Sequence, residues 1–429
     1  MDIRSTFLIA RRVIVACSIG NLLEMYSFSL FILFLPTLTP IFFPSSDPLA
    51  SLLSAYVIFS IGFLAYPIGA LLFGYIGDKY GRKIALSFSM LGMALSTFCI
   101  GLLPSYAILG ILSPLLLAGF RFIQGVCAGG ECIGSGVFVI ESISSKNPGF
   151  FGSLTTASGT FGALFASIIS AAFVSLVTPS WAWRLPFIFS IFIGFVGLYF
   201  RKKIGESPSF KDSFSKTNYS PLKELFRHHF IPFLCAVGIG ALGTVPFYLV
   251  IGFLSSYLVF LNMITIQNSA NLNSMLLFFC AFTMPLFGYL ADKIGHARIM
   301  VLSALLSLLY AYPFFCIVYT GSLLNIAFAE ILFLSLSQLF VAPINAFMTQ
   351  LFPVRSRYTG TAFGYCIGMA LFGGTTPYIL LSLINWSENS SFPFFYVMFI
   401  CVIGLFSVLV GNRCISSQIL KHKLIEHEA

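Results

Sequence analysis

Charge is what this chain has little of. Aspartate, glutamate, lysine and arginine make up 9% of its 429 residues, and apolar residues make up 58%. A soluble globule carries roughly a quarter charged residues, so water is excluded as the solvent for this surface and the bilayer takes its place. Histidine is also scarce: His228, His229, His296, His422 and His427 all fall in loops or tails. The chain has no HExxH, GxSxG or P-loop. A membrane enzyme acting on lipid or peptide needs a nucleophile with its base, or a set of metal ligands, so an enzyme, a cofactor and a metal are not expected. Nine of the ten cysteines, Cys17, Cys99, Cys127, Cys132, Cys235, Cys280, Cys316, Cys366 and Cys401, sit in apolar runs away from clustered histidines. They read as small packing residues, with no disulfide or redox role. The formal charge of +9 is spread over short loops without a nucleic-acid motif. Topology and anionic lipid account for it, and nucleic acid is not expected as a partner.

What is present is a series of long apolar runs. A membrane-crossing helix needs about 20 mostly apolar residues. Twelve such runs lie near 13–36, 51–76, 84–104, 107–141, 149–176, 185–200, 229–260, 271–291, 299–319, 324–350, 358–384 and 392–411. With both termini on the cytoplasmic side, every one of the 23 lysines and arginines except Arg121 and Arg184 falls in a cytoplasmic segment. Positive charge is retained on that side during insertion, so an even number of spans follows. The basic N-terminus has a long apolar run without a small-residue cleavage pattern and is expected to remain as span 1.

The chain is also internally doubled. Leu72 to Gly81, LFGYIGDKYG, returns at Leu286 to Gly295 as LFGYLADKIG, with seven identities at a separation of 214. Each copy stands where an apolar run meets a small basic loop, so the expected unit of duplication is a membrane bundle. The fold class expected is an all-α polytopic membrane protein, twelve transmembrane helices in two pseudo-symmetric six-helix bundles. Residues 1–200 form the first bundle, 201–228 a cytoplasmic linker and 229–429 the second. Gly360, Gly364 and Gly368, and likewise Gly152, Gly159 and Gly162, place small faces on two spans. Such faces suit close static packing and helix sliding equally. Gly238, Gly240 and Gly243 match GxGxxG but lie in an apolar run with no preceding strand, so no dinucleotide site is expected.

Within the repeated loop, Gly74, Asp78, Gly81, Arg82 and Lys83 set an acid beside bases at a membrane surface. Asp78 is placed to meet a helix N-terminus and Arg82 to meet a carboxylate, a latch that breaks when helices rearrange. Gly288, Asp292, Gly295 and Arg298 repeat it, with His296 in place of Arg82 and a weaker second latch expected. GYIGDKYGRK resembles the signature loop between helices 2 and 3 of the major facilitator superfamily. GNLLEMYSF (Gly20–Phe28), RFIQGVCAGGE (Arg121–Glu131), WRLPF (Trp183–Phe187), GESP (Gly205–Pro208) and FPVRSRYTG (Phe352–Gly360) resemble the metabolite:proton symporters, which include bacterial proline/betaine, α-ketoglutarate, citrate and shikimate transporters. The resemblance implies the major facilitator fold, with spans 1, 4, 7 and 10 around a central site.

An ionisable side chain inside a bilayer is costly enough to mark function. Four lie well inside the runs: Glu24 in span 1, Arg121 and Glu131 in span 4, and Glu330 in span 10. Counting along the helices puts Glu24 about 18 Å from the inner end of span 1 and Arg121 about 21 Å from the outer end of span 4. The two are expected to face each other, as an ion pair or around a shared solute, the guanidinium fork suiting a carboxylate. Asn21, Gln124, Tyr26 and Tyr248 join Arg121 and Glu24 as candidate solute contacts. Desolvation favours the neutral form of a carboxyl, which makes Glu131 and Glu330, with Glu24, candidates for carrying protons. Glu131 is equally a candidate for binding backbone amides or a loop arginine as a gate. The related symporters carry an aspartate three residues after the span 1 glutamate and a tryptophan between, whereas this chain has Ser27 and Met25. One acid is therefore missing from the site, and Glu330 is placed to supply a carboxylate from the other half.

The function expected is uptake of a small polar carboxylate-bearing metabolite or osmolyte with protons, by alternating access in the bacterial inner membrane. An uncoupled facilitator or an exporter of the same fold is the alternative within transport. The partners expected are the solute, protons and lipid. A monomer is expected.

Overall fold

The computed structural model describes residues 3–80, 82–131, 134–142, 146–175, 179, 181–202, 221–320, 322–353 and 357–428, and their side chains apart from those at 3–12, 77–80, 82, 142, 174–175, 221–224 and 419–428. Among them, twelve helices are long and apolar enough to cross a membrane. Spans 1 to 6 are Val13–Leu33, Pro48–Ile76, Lys83–Leu102, Leu112–Glu141, Pro148–Phe173 and Arg184–Lys202. Spans 7 to 12 are Phe230–Phe260, Ile266–Ile294, His296–Val318, Leu323–Leu351, Arg357–Ser387 and Phe394–Gln418. They fall on the twelve apolar runs, with ends moved by a few residues. Span 8 begins earlier than its apolar run because Thr265 caps it, its hydroxyl accepting from the Asn268 amide at 3.1 Å. That cap lets the polar turn after it join the helix.

Duplication shows in the packing. Span 1 lies on span 5 and span 3 on span 6, and the same pairs recur as span 7 on span 11 and span 9 on span 12. The two halves meet where span 5 runs along span 8 and span 2 along span 11. Glycine fixes several of these approaches. A side chain at Gly162 would run into the Leu22 carbonyl of span 1, and one at Gly368 into the Val237 carbonyl of span 7. Each stripe read from the sequence thus has one glycine in close backbone contact with a neighbouring span, while Gly152, Gly159 and Gly360 lie against side chains. Gly238, Gly240 and Gly243 likewise face neighbouring spans, at Ser407, Tyr365 and Ile344.

Five spans are interrupted, at Ala65 in span 2, Gly130 in span 4 and Ala342–Pro343 in span 10, and by π-helical turns in spans 7 (Tyr248–Leu254) and 11 (Met369–Gly373). Proline stands at three of the breaks, since it cannot donate to the preceding turn: Pro67 follows that of span 2, Pro343 lies in that of span 10, and Pro246 precedes the π turn of span 7. Interrupted helix frees backbone groups and re-aims side chains, and the breaks cluster around the interface of the halves. The short helix Pro221–His228 follows span 6 and packs on spans 7 and 11. The end of the molecule holding this helix and the basic turns after spans 2 and 8 is the basic end below.

Candidate functional site: a closed chamber between the halves

A chamber of about 150 Å³ lies between the halves. Asn21, Glu24 and Tyr66 line it from the first half, and Tyr248, Gln338 and Asn345 from the second. Glu24 is the one charged side chain among the described lining residues, and it is 4% exposed. Tyr66 donates its hydroxyl to Glu24 Oε1 at 3.1 Å. The Asn21 amide is held on both sides, donating to the Thr155 carbonyl at 3.0 Å and accepting from Ser135 Oγ at 2.9 Å. Asn345 reaches across from span 10 to donate to the Gly152 carbonyl at 3.0 Å. Aromatic residues and methionines complete the wall, with Tyr365 and Met369 among them.

Not every sequence candidate reaches this chamber. The expected pairing of Glu24 with Arg121 is absent among the described residues. Arg121 is fully buried, its Nη1 donating to Gln124 Oε1 at 2.5 Å and its Nη2 to the Phe59 carbonyl at 3.4 Å. Three rings surround its guanidinium, Phe28 at 4.4 Å, Phe31 at 4.8 Å and Phe59 at 5.6 Å. Phe28 and Phe31 stand one and two turns beyond Glu24 on the same face of span 1, so they meet the arginine while the glutamate meets Tyr66. A ring face attracts a cation where no carboxylate is present. Gln124 is committed to Arg121 and to Thr97 Oγ1, 2.7 Å away. Tyr26, two residues from Glu24, points to the opposite side of its helix and donates to the Pro186 carbonyl at 2.8 Å.

The two remaining acids differ from each other. Glu131 forms a buried ion pair with Arg201, the last turn of span 6 folding inward so that a residue counted as loop becomes 4% exposed. Gly20 makes room for it, since a side chain there would occupy the place of both partners. Glu330 is 2% exposed and one carboxyl oxygen has no hydrogen-bond partner among the described residues. It stands on the stripe that continues through Leu334 and Gln338 into the chamber wall.

Contacts between the halves close both ends. Away from the basic end, Tyr56 bonds Ser256 at 2.7 Å and Ser60 donates to the Gly374 carbonyl at 3.0 Å. Phe63 packs edge-on to Tyr248, ring centres 4.8 Å apart, and fills the space a side chain at Gly374 would take. At the basic end, Asp292 accepts from the amides of Gly149 and Phe150 at 2.7 and 2.8 Å, capping the first turn of span 5 across the interface. A carboxylate at a helix N-terminus meets both unpaired amides and the positive end of the dipole. His296 bonds the same carboxylate at 2.9 Å, and Gly295 makes the turn between them with φ of +110°. Tyr358 donates to the Gly130 carbonyl and Arg357 pairs with Glu141 at 3.2 Å, again across the halves. Lys83 donates to the Lys202 carbonyl at 2.9 Å. Arg298 makes no hydrogen bond or ion pair among the described residues, and a side chain at Gly74 would meet open space. The side chains of Asp78 and Arg82, and Gly81, lie outside the described residues.

Asp292→Ala removes both amide bonds to span 5 without touching the chamber. It is expected to shift the molecule toward a form open at the basic end by ~10-fold or more, the scale of one charge-assisted bond. Pulsed-EPR distances between labels at Lys146 and Ile294, both exposed at that end, should gain a longer population. An unchanged distribution would remove the latch assignment.

A solute-sized chamber between two duplicated six-span halves, closed at both ends by breakable contacts, defines a membrane transporter. The chain belongs to the Major Facilitator Superfamily, whose profile matches residues 17–375. It is similar to a glycine betaine/proline/ectoine/pipecolic acid transporter of Dickeya dadantii, 30% identical over 419 residues covering 93% of this chain and 82% of that one. It is also 33% identical over 389 residues to an inner membrane metabolite transport protein of Escherichia coli, covering 86% of each. Among solved structures, the proton:xylose symporter bound to 6-bromo-6-deoxy-D-glucose matches with a TM-score of 0.76 at 14% identity, over 94% of this chain and 95% of that one. The partially occluded inward open xylose transporter of E. coli matches at 0.72 and 15%, over 94% and 96%. These last two bear on the fold alone. The likeness to proline/betaine transporters carried by GNLLEMYSF and RFIQGVCAGGE therefore stands, as does the reading that the chain is not an enzyme. It is a multi-pass secondary transporter of a small molecule.

Proposed function

We propose that the chain takes up a small zwitterionic metabolite together with protons, across the bacterial inner membrane, with both termini and the basic end in the cytoplasm. One observation carries the reading: the chamber between the halves holds a single charged side chain among its described lining residues, the Glu24 carboxylate, in a wall that also includes Tyr66, Tyr248 and Tyr365. A carboxylate in a cavity lined by tyrosines suits an ammonium or onium centre. It disfavours a solute whose only charge is negative, and a volume near 150 Å³ limits the solute to about the size of a small ring or amino acid. Glycine betaine and proline, named for several relatives, have that size and charge pattern. Arg121 takes no part in holding the solute in this conformation; it braces spans 1, 2 and 4 beside the chamber.

Alternating access follows from the contacts at the two ends. With the basic end opened by release of Asp292 and the opposite end by separation of Phe63 from Gly374, the same chamber faces each side in turn. Glu24 and Glu330 are the better placed proton carriers, because Glu131 is already held by a cation. The test is uptake of labelled glycine betaine and proline into proteoliposomes with the lumen alkaline. Accumulation that collapses with a protonophore is expected. Equal entry without a gradient would make the chain a facilitator, and failure to move either zwitterion would overturn the substrate class.

A further inference from the structure

The Glu24 side of the chamber accounts for the positive end of such a solute and leaves its carboxylate without a partner. Most donors along the wall are taken. Tyr66 bonds Glu24, Asn21 bonds the Thr155 carbonyl, Asn345 bonds the Gly152 carbonyl, and Thr155 and Thr244 bond carbonyls of their own helices at 2.7 Å. Gln338 on span 10 is different. It is 4% exposed and lines the chamber, its Oε1 lies 3.2 Å from Thr283 Oγ1, and its Nε2 has no oxygen or nitrogen partner among the described residues, only the Cys280 thiol beside it. A thiol is a weak acceptor for an amide N–H, so the group stands on the cavity wall ready to exchange that contact for a carboxylate oxygen. Ser337, the preceding residue, also lines the chamber and makes no side-chain hydrogen bond among the described residues.

We propose that Gln338 is the specificity-determining residue for the acceptor end of the solute, its Nε2 donating to one carboxylate oxygen with Ser337 placed to serve the other. The assignment rests on the zwitterion reading above. Glu24 belongs to span 1 and Gln338 to span 10, so a solute joining them bridges the two halves. Only a solute with both ends makes both contacts, and its binding energy then favours the closed chamber over either open form. A neutral amide holds a carboxylate without the deep electrostatic trap of a buried arginine, which suits a site that must also release its cargo.

Glycine betaine and choline test this directly, because they share the trimethylammonium centre and differ in carboxylate against hydroxymethyl. Affinities of the purified protein for both are measured by scintillation proximity, in parent, Gln338→Leu and Gln338→Glu. The parent is expected to prefer glycine betaine. Both variants should lose ~10- to 100-fold in glycine betaine affinity, the scale of one hydrogen bond to a charged group, while keeping choline binding, which also reports that they are folded. Gln338→Glu should reverse the preference. A parental ratio in both variants overturns the assignment, as does loss of both ligands by the near-isosteric Gln338→Glu, which would place the residue in the fold. A parent that binds neither ligand, or both equally, overturns the zwitterion reading and this assignment with it.

Discussion

Glu24→Gln is expected to cut glycine betaine affinity by ~10- to 100-fold and to abolish accumulation, while leaving the protein folded. The magnitude follows from a charged contact made by a buried carboxylate, 4% exposed, with no second described acid lining the wall. Folding is preserved because the amide oxygen of glutamine still accepts from Tyr66, which sits 3.1 Å from Glu24 Oε1. Two readouts separate the roles of the carboxylate. Counterflow between equal pH values needs solute binding but no net proton movement, whereas accumulation needs both. If Glu24 holds the onium centre, both fail in the variant. Counterflow at the parental rate with accumulation lost would restrict Glu24 to proton transfer and leave the rest of the chamber wall to bind the solute.

The twelve spans were legible because each is an apolar run closed by polar residues, and a run needs no knowledge of its neighbours. The four membrane ionisable groups were legible for the same reason, since charge stands out in such a background. What each one meets was not. Arg201 reads as the first cation of a polar linker, and nothing local says that the last turn of span 6 swings it under Gly20 to Glu131. The small size of Gly20 was the only trace. Arg121 was paired with Glu24 by depth along two helices, but depth fixes height and not azimuth. The rings of Phe28 and Phe31 were a visible alternative at one and two turns from Glu24. Gln338 escaped notice because a neutral amide in an apolar run is ordinary. Its spacing from Glu330, eight residues and thus the same helix face, was the signal available. In the second copy of the repeated loop Asp292 meets the N-terminal amides of span 5, the kind of partner read for Asp78, whose own side chain lies outside the described residues.

The Glu131–Arg201 pair is where the largest loss of stability is expected. Both side chains are about 4% exposed, and removing one partner of a buried pair strands the other, at about 3–5 kcal/mol. Arg201→Met, which leaves a carboxylate facing an apolar wall, should therefore unfold at a markedly lower temperature in detergent. Glu131→Gln should lose less, because the amide oxygen still accepts from Arg201. Gly20→Val should resemble Arg201→Met, since its side chain would stand where the two partners meet. The double variant Glu131→Leu, Arg201→Met removes both charges and should recover most of the loss, as apolar replacements of buried pairs do. That recovery makes the double variant a clean probe of coupling. Folded and free of the acid, it should still accumulate glycine betaine against a gradient when driven by protons, because an acid locked to a guanidinium has little freedom to load and release them. Loss of proton-driven accumulation in a protein of parental stability, with counterflow intact, would instead make Glu131 the carrier and the arginine its release switch.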